Sequence, residues 1–215
     1  MNIKLFNVAL GIVLTATTIS VSAQKTYTQG AITINMPMQS QQVDAKQYFT
    51  SDSTALSFTA GPATIKVLID AKETLIAVLV DVPVASMKKA AIYTPAEIEQ
   101  ALEAFPKFTF APPTDTKQIS GFNCKKVVAT DTKTNKTYDV WITNDITLPA
   151  NVIPKYYAAI GGVPIQYTSF SQGQETLITV TGVTDEKAPA GTFSIPSDYD
   201  KISLDDLKAM SGGGN

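Results

Sequence analysis

The chain has 215 residues, 44% of them hydrophobic and 17% charged, with 17 Lys+Arg against 19 Asp+Glu. Every basic residue is a lysine and there is no histidine. This balance excludes an intrinsically disordered chain, any Ser-His-Asp or Cys-His catalytic device and any His-ligated metal centre, and a net charge of −2 argues against nucleic acid.

Met1 to Ala23 reads as a secretory signal. Lys4 is the positive n-region, Leu5 to Ile19 the apolar stretch, and Val21-Ser22-Ala23 the small-residue cleavage site. Asn7 and several Thr/Ser interrupt the apolar run, so a membrane-spanning anchor is the weaker reading. Cleavage after Ala23 implies a periplasmic or secreted protein that does not span the membrane. No cysteine follows the cleavage site to take a lipid. The lone cysteine, Cys124, permits no internal disulfide, so stability must come from burial. Residues 24–210 read as a single β-rich domain and 211–215 as a flexible tail.

Gly30 to Met36 alternates Ile32 and Ile34 with polar residues, as a strand does. Gln39 to Lys46 is polar and reads as a loop. Ala55 to Thr59 alternates weakly. Ala63 to Val82 is the clearest hairpin, turning at Asp70-Ala71-Lys72-Glu73. Its return strand is apolar on both faces, with Leu75, Ala77 and Leu79 on one and Ile76, Val78 and Val80 on the other. Such a strand is covered on both sides.

Thr94 to Phe105 is the best helix. Thr94 and Glu97 make a capping box, Pro95 fits the first position, and Ile98, Leu102 and Phe105 share one face. Ile119 to Asp131 and Thr137 to Asn144 read as a second hairpin, with Asn135 suited to the left-handed turn position. Pro149 to Ala159 reads as a short helix, Val163 to Ser171 and Glu175 to Thr184 as a third hairpin, and Ser203 to Met210 as a last helix. The fold class is mainly β (α+β): a single curled antiparallel sheet carrying two or three helices.

The segment Ile119-Ser-Gly-Phe-Asn-Cys-Lys-Lys, followed by Val127-Val-Ala-Thr-Asp and Val140-Trp-Ile-Thr-Asn-Asp, resembles the exported Gram-negative envelope proteins of domain of unknown function 4412. More distantly it is similar to the GLPGLI family, although Gly161-Gly-Val-Pro-Ile165 departs from that family's motif. The resemblance covers chiefly Ile119 to Pro196. It implies an unclosed β-barrel of the type seen in the lipoprotein carriers LolA and LolB, with helices plugging an apolar mouth. It carries no catalytic residues.

Candidate binding residues are Leu75, Leu79, Leu102, Phe105, Trp141, Tyr156 and Tyr157. The two leucines on the doubly apolar strand would line a curved sheet, with Leu102 and Phe105 on a helix acting as its lid. Trp141 has the ring to stack on a sugar or a lipid headgroup, and Tyr156 and Tyr157, just before Gly161-Gly162, suit the edge of a ligand mouth; each is also explained by ordinary packing. Cys124 alternates with Phe122 and Val128 and reads as a small buried apolar residue. The acidic run of Asp198, Asp200, Asp205 and Asp206 lacks the spacing of a calcium loop, so no metal or cofactor is expected. No nucleotide loop, carboxylate pair or surviving Ser–Lys pair points to catalysis, and the chain is read as non-enzymatic. Two functions stay open. One is the carriage of an apolar, acyl-chain or lipid-like ligand. The other is a structural or interaction module of the envelope, with a side-chain-filled core, no ligand and an envelope protein as its partner.

Overall fold

The computed structural model describes residues 24–38, 41–171 and 173–212. The expected signal, 1–23, lies outside them. β1 (Lys25–Thr26) is followed by the hairpin of β2 (Gly30–Met38) and β3 (Gln41–Phe49). β4 (Ser53–Ala60), β5 (Ala63–Asp70), β6 (Ile76–Val82) and β7 (Met87–Ile92) continue as a meander. α1 (Pro95–Glu103) leads to β8 (Phe108–Phe110), β9 (Thr116–Ile119), β10 (Phe122–Asp131), β11 (Thr137–Thr143) and β12 (Ile146–Thr147). β13 (Val163–Ser171), β14 (Gln174–Thr184), β15 (Asp200–Ile202) and α2 (Leu204–Gly212) complete the order.

Thirteen strands form one curled, unclosed sheet in the order β15-β7-β6-β5-β4-β3-β2-β14-β13-β11-β10-β8, with β9 also paired to β10. Neighbours are antiparallel except β15, which lies parallel to β7. β1 and β12 make a separate parallel pair. Joining β2 to β14 brings the two halves of the chain together. At that seam Gly30 lies so close to β14 that an added Cβ would sit 2.1 Å from the Thr184 carbonyl oxygen. Gly30→Ala must push the strands apart, and urea unfolding is expected to show a loss of at least about 1–3 kcal/mol.

The capping box of α1 is formed: Thr94 Oγ1 accepts from the Glu97 amide, and Glu97 Oε2 accepts from the Thr94 amide at 2.6 Å. Ser203 and Asp206 make the matching exchange at α2. α2 runs through Gly212, so the first two residues assigned to the tail are helical and 213–215 lie outside the described residues. Asn135 takes a φ of 58° in the β10–β11 turn.

Three expectations are corrected. Residues 41–46 belong to β3 and not to a loop, because Gln42, Asp44 and Lys46 fall on one face while Val43 and Ala45 face the core. There Asn35 Nδ2 donates to Asp44 Oδ1 at 2.8 Å. Ile119 to Asp131 is two strands, since Ser120 and Gly121 take φ values of 50° and 85° and reverse the chain. Pro149 to Ala159 holds no α-helix. It is two single 3-10 turns, Ala150–Val152 and Lys155–Tyr157, because Pro154 keeps Ile153 extended (φ −82°, ψ 129°).

Burial divides the sheet. On β2, β3, β10, β11, β13 and β14 one face carries the main core, including Ile32, Ile34, Phe49, Val140, Ile165 and Val180. The irregular segment 148–160 lies against this face and plugs it with Leu148, Tyr157 and Ile160. We call it the inner face. A second core, Ala55, Leu68, Ala77, Leu79 and Ala90, lies on the outer face of β4–β7. The C-terminal strap covers that core with Phe193, Ile195 and Tyr199. Lys88 and Lys89 clip the strap down through ion pairs to Asp198 and Asp200 at 2.7 and 2.8 Å.

Candidate functional site: an open apolar face and a charged cleft

Register decides which side of β6 meets what. Ile76, Val78 and Val80 pair with Ile69, Val67 and Ile65 of β5, which continue to Leu56 and Phe58 on β4. Those β4 residues are cross-strand partners of Gln47 and Ala45, so the whole row belongs to the inner face. All eight side chains of the row are apolar, and none is fully buried. The outer face of the same strands is sealed: Leu68 and Leu79 are each 2% exposed and Ala77 is 0%. The β-branched residues of the row suit a strand whichever face they occupy. Among the described residues the inner-face row on β5 and β6 belongs to neither core.

The plug reaches β4, where Leu56 and Phe58 pack against the main core, and leaves the β5 and β6 part of the row outside both cores. Over β2, β13 and β14 it fills the inner face, leaving a gap of only about 20 Å³ lined by Ile32, Ile34, Leu148, Ile153, Tyr167 and Val180. Asn151 Nδ2 fixes the plug's edge by donating to the Thr50 carbonyl at 3.1 Å, at the β3–β4 turn. Its rear is an aromatic cluster in which Tyr157 stacks on Phe108 with centroids 5.4 Å apart and 7° between planes. Burial pushes the phenol of Tyr157 up, so it stays a donor and bonds the Thr168 carbonyl at 2.9 Å.

At the end of the row lies an open cleft of about 850 Å³. Its walls are the β5–β6 turn (Glu73, Thr74), α1 (Pro95, Ile98, Glu99, Leu102, Glu103), and three lysines from separate segments, Lys107, Lys133 and Lys155. Asp70 shapes that turn. Its Oδ1 accepts the amides of Thr74 and Leu75 at 2.7 and 2.9 Å. Desolvation raises the Asp70 pKa, but these bonds outweigh it and hold the carboxyl below its ordinary value. Lys155 pairs with Glu73 across the cleft mouth.

The seven candidate residues divide into three groups. Leu102, Phe105, Tyr156 and Tyr157 come together: Leu102 lines the cleft, and Phe105 packs on Tyr156 at 5.1 Å, beside Tyr157 at 4.8 Å from Tyr156. Tyr157 is fully buried and belongs to the plug's packing. Leu75 and Leu79 lie on the outer face, under Phe193, Ile195 and Tyr199, and not with the helix. Trp141 is on β11, between the core residues Val140 and Ile142, with Lys117 Nζ 4.0 Å above its ring. Cys124 is buried at 1% exposure, and desolvation pushes its thiol pKa up. Sequence reading missed the lysines, because nothing in one dimension relates Lys107, Lys133 and Lys155. It saw both faces of β6 but had no signal for which one the strap would cover. Among the described residues no group of three or more metal-ligating side chains converges, and no helix is long and apolar enough to cross a membrane.

No family model matches the sequence, and no curated protein matches it. Among solved structures, PNGF-II superposes with a TM-score of 0.49 at 17% identity, covering 85% of this chain. The match covers 32% of the PNGF-II chain, so this chain spans well under two thirds of its length. A likeness at that level says nothing of activity.

Proposed function

We propose that this is an exported, non-enzymatic binding protein of the Gram-negative envelope, with a LolA/LolB-like unclosed barrel, that holds an acyl chain or similar lipid-like ligand on the inner face of β4–β6. One observation carries the reading. The same strands are sealed on the outer face and left apolar and only partly covered on the inner one. Each methylene removed from water there contributes about 0.8 kcal/mol, so about ten of them give about 8 kcal/mol before the cost of ordering the ligand. The apparent signal sequence and the resemblance to domain of unknown function 4412 support the envelope location.

A second reading, a structural module without a ligand, is favoured by the plug. The inner face over β2, β13 and β14 is filled by the chain's own side chains, to within about 20 Å³. Native mass spectrometry separates the two. The full chain is expressed with its leader in a Gram-negative host and recovered without detergent. An adduct of lipid-like mass is expected. A bare protein mass, together with no uptake of an apolar fluorescent probe, would establish the filled module instead.

A further inference from the structure

The cleft at the end of the apolar row has an unusual charge layout. Glu99 and Glu103 stand one turn apart on α1, while Lys107 and Lys133 come from the segment after α1 and from the β10–β11 turn. All four line the same space and none forms an ion pair with another; Lys133 is drawn toward Asp131 of its own turn, and Lys155 and Glu73 in the same cleft do pair. Two ammonium groups and two carboxylates are thus held on one cavity without neutralising each other. The cavity begins at Glu73 and Thr74, immediately beyond Ile69 and Ile76, the last pair of the row. Its volume of about 850 Å³ lies within the range of small-molecule sites.

We infer that the ligand is an amphiphile with a zwitterionic head group, its anionic part placed by Lys107 and Lys133, its ammonium by Glu99 and Glu103, and its chain on the inner face of β5 and β6. This rests on the acyl-binding reading above and adds the head group to it. A purely anionic head would leave Glu99 and Glu103 facing like charge. A neutral head would leave Glu99, Glu103 and Lys107 without an ion-pair partner. A zwitterion answers both signs at once, and charges of both signs on one cavity also fix its orientation. Leu102 and Ile98 line the same cleft and give the glycerol or first methylenes an apolar floor.

The test uses displacement of the neutral probe N-phenyl-1-naphthylamine by three single-chain lipids of equal chain length. These are lysophosphatidylethanolamine, lysophosphatidylglycerol and a monoacylglycerol. The zwitterion is expected to displace the probe at about three- to tenfold lower concentration than either other lipid, with the advantage shrinking as salt is raised. In the double variant Glu99→Gln/Glu103→Gln, lysophosphatidylethanolamine should lose its advantage over lysophosphatidylglycerol. In Lys107→Met/Lys133→Met it should lose its advantage over the monoacylglycerol. These residues are at the surface, and circular dichroism checks that both variants fold. Equal displacement by all three lipids would overturn the head-group assignment while leaving the acyl site in place. Displacement by none, with the probe itself failing to bind, would overturn the acyl site as well.

Discussion

Tyr157→Ala is expected to remove about 3–5 kcal/mol of folding stability, a large share of the about 5–15 kcal/mol that holds a domain together. Tyr157 is 0% exposed and is the largest fully buried side chain among the described residues. Its ring touches Phe108, Phe110, Tyr156 and Tyr167, and its hydroxyl satisfies the carbonyl of Thr168 on β13. The plug between β12 and β13 contains only two 3-10 turns, so its position depends on this one anchor more than on its own backbone bonds. Tyr157→Phe keeps the ring and frees the Thr168 carbonyl, and should cost about 0.5–1.5 kcal/mol. Equilibrium unfolding in urea reads both. Equal losses from the two variants would mean that the hydroxyl, not the ring, fixes the plug.

The sheet was legible wherever alternation and turn chemistry agreed. The hairpin of β5 and β6 shows both, with aliphatic alternation on each side of a turn that Asp70 ties with two backbone bonds. The capping residues of α1 and α2 act locally, within three residues, and they form as the sequence indicates. What escaped reading depends on contacts between distant segments. β3 looks like a loop by composition, and it is a strand because β2 and β4 supply ladders on either side. Ser120-Gly121 interrupts an apolar alternation that otherwise runs on from Ile119, and only the left-handed backbone shows the reversal. β15 is three residues long and owes its place to β7 and to the ion pairs from Lys88 and Lys89.

The candidate site shows the same division. The double apolarity of β6 was plain, and so was the need for cover on both faces. Which face the chain itself covers was decided by Phe193, Ile195 and Tyr199, over a hundred residues later and outside any regular element. These three residues turn Leu75 and Leu79 into core and leave Ile76, Val78 and Val80 outside both cores. The cleft's charges come from five separate segments and have no linear signature.

Val78 and Leu79 are adjacent on β6 and face opposite ways, so they test the site against the core within one strand. Val78 sits between Val67 and Ala91 on the inner face and is only partly buried; Leu79 is 2% exposed under the strap. Val78→Asp places a carboxylate in the middle of the apolar row. It is expected to weaken binding of N-phenyl-1-naphthylamine by at least about tenfold, since a charge cannot enter an acyl-lined surface without losing its hydration. Val78→Ser should weaken binding less and keep the fold intact if the aspartate does not. Leu79→Ala should do the reverse, costing about 2–5 kcal/mol of stability while the folded protein binds the probe as before. The opposite pattern is equally readable. If Val78→Ser costs as much stability as Leu79→Ala, the inner face of β6 is packed core and the filled-module reading stands. If Val78→Asp folds and binds unchanged, the ligand lies elsewhere on the molecule. Only an inner face left open by the chain's own packing makes two neighbouring residues separate binding from stability in this way.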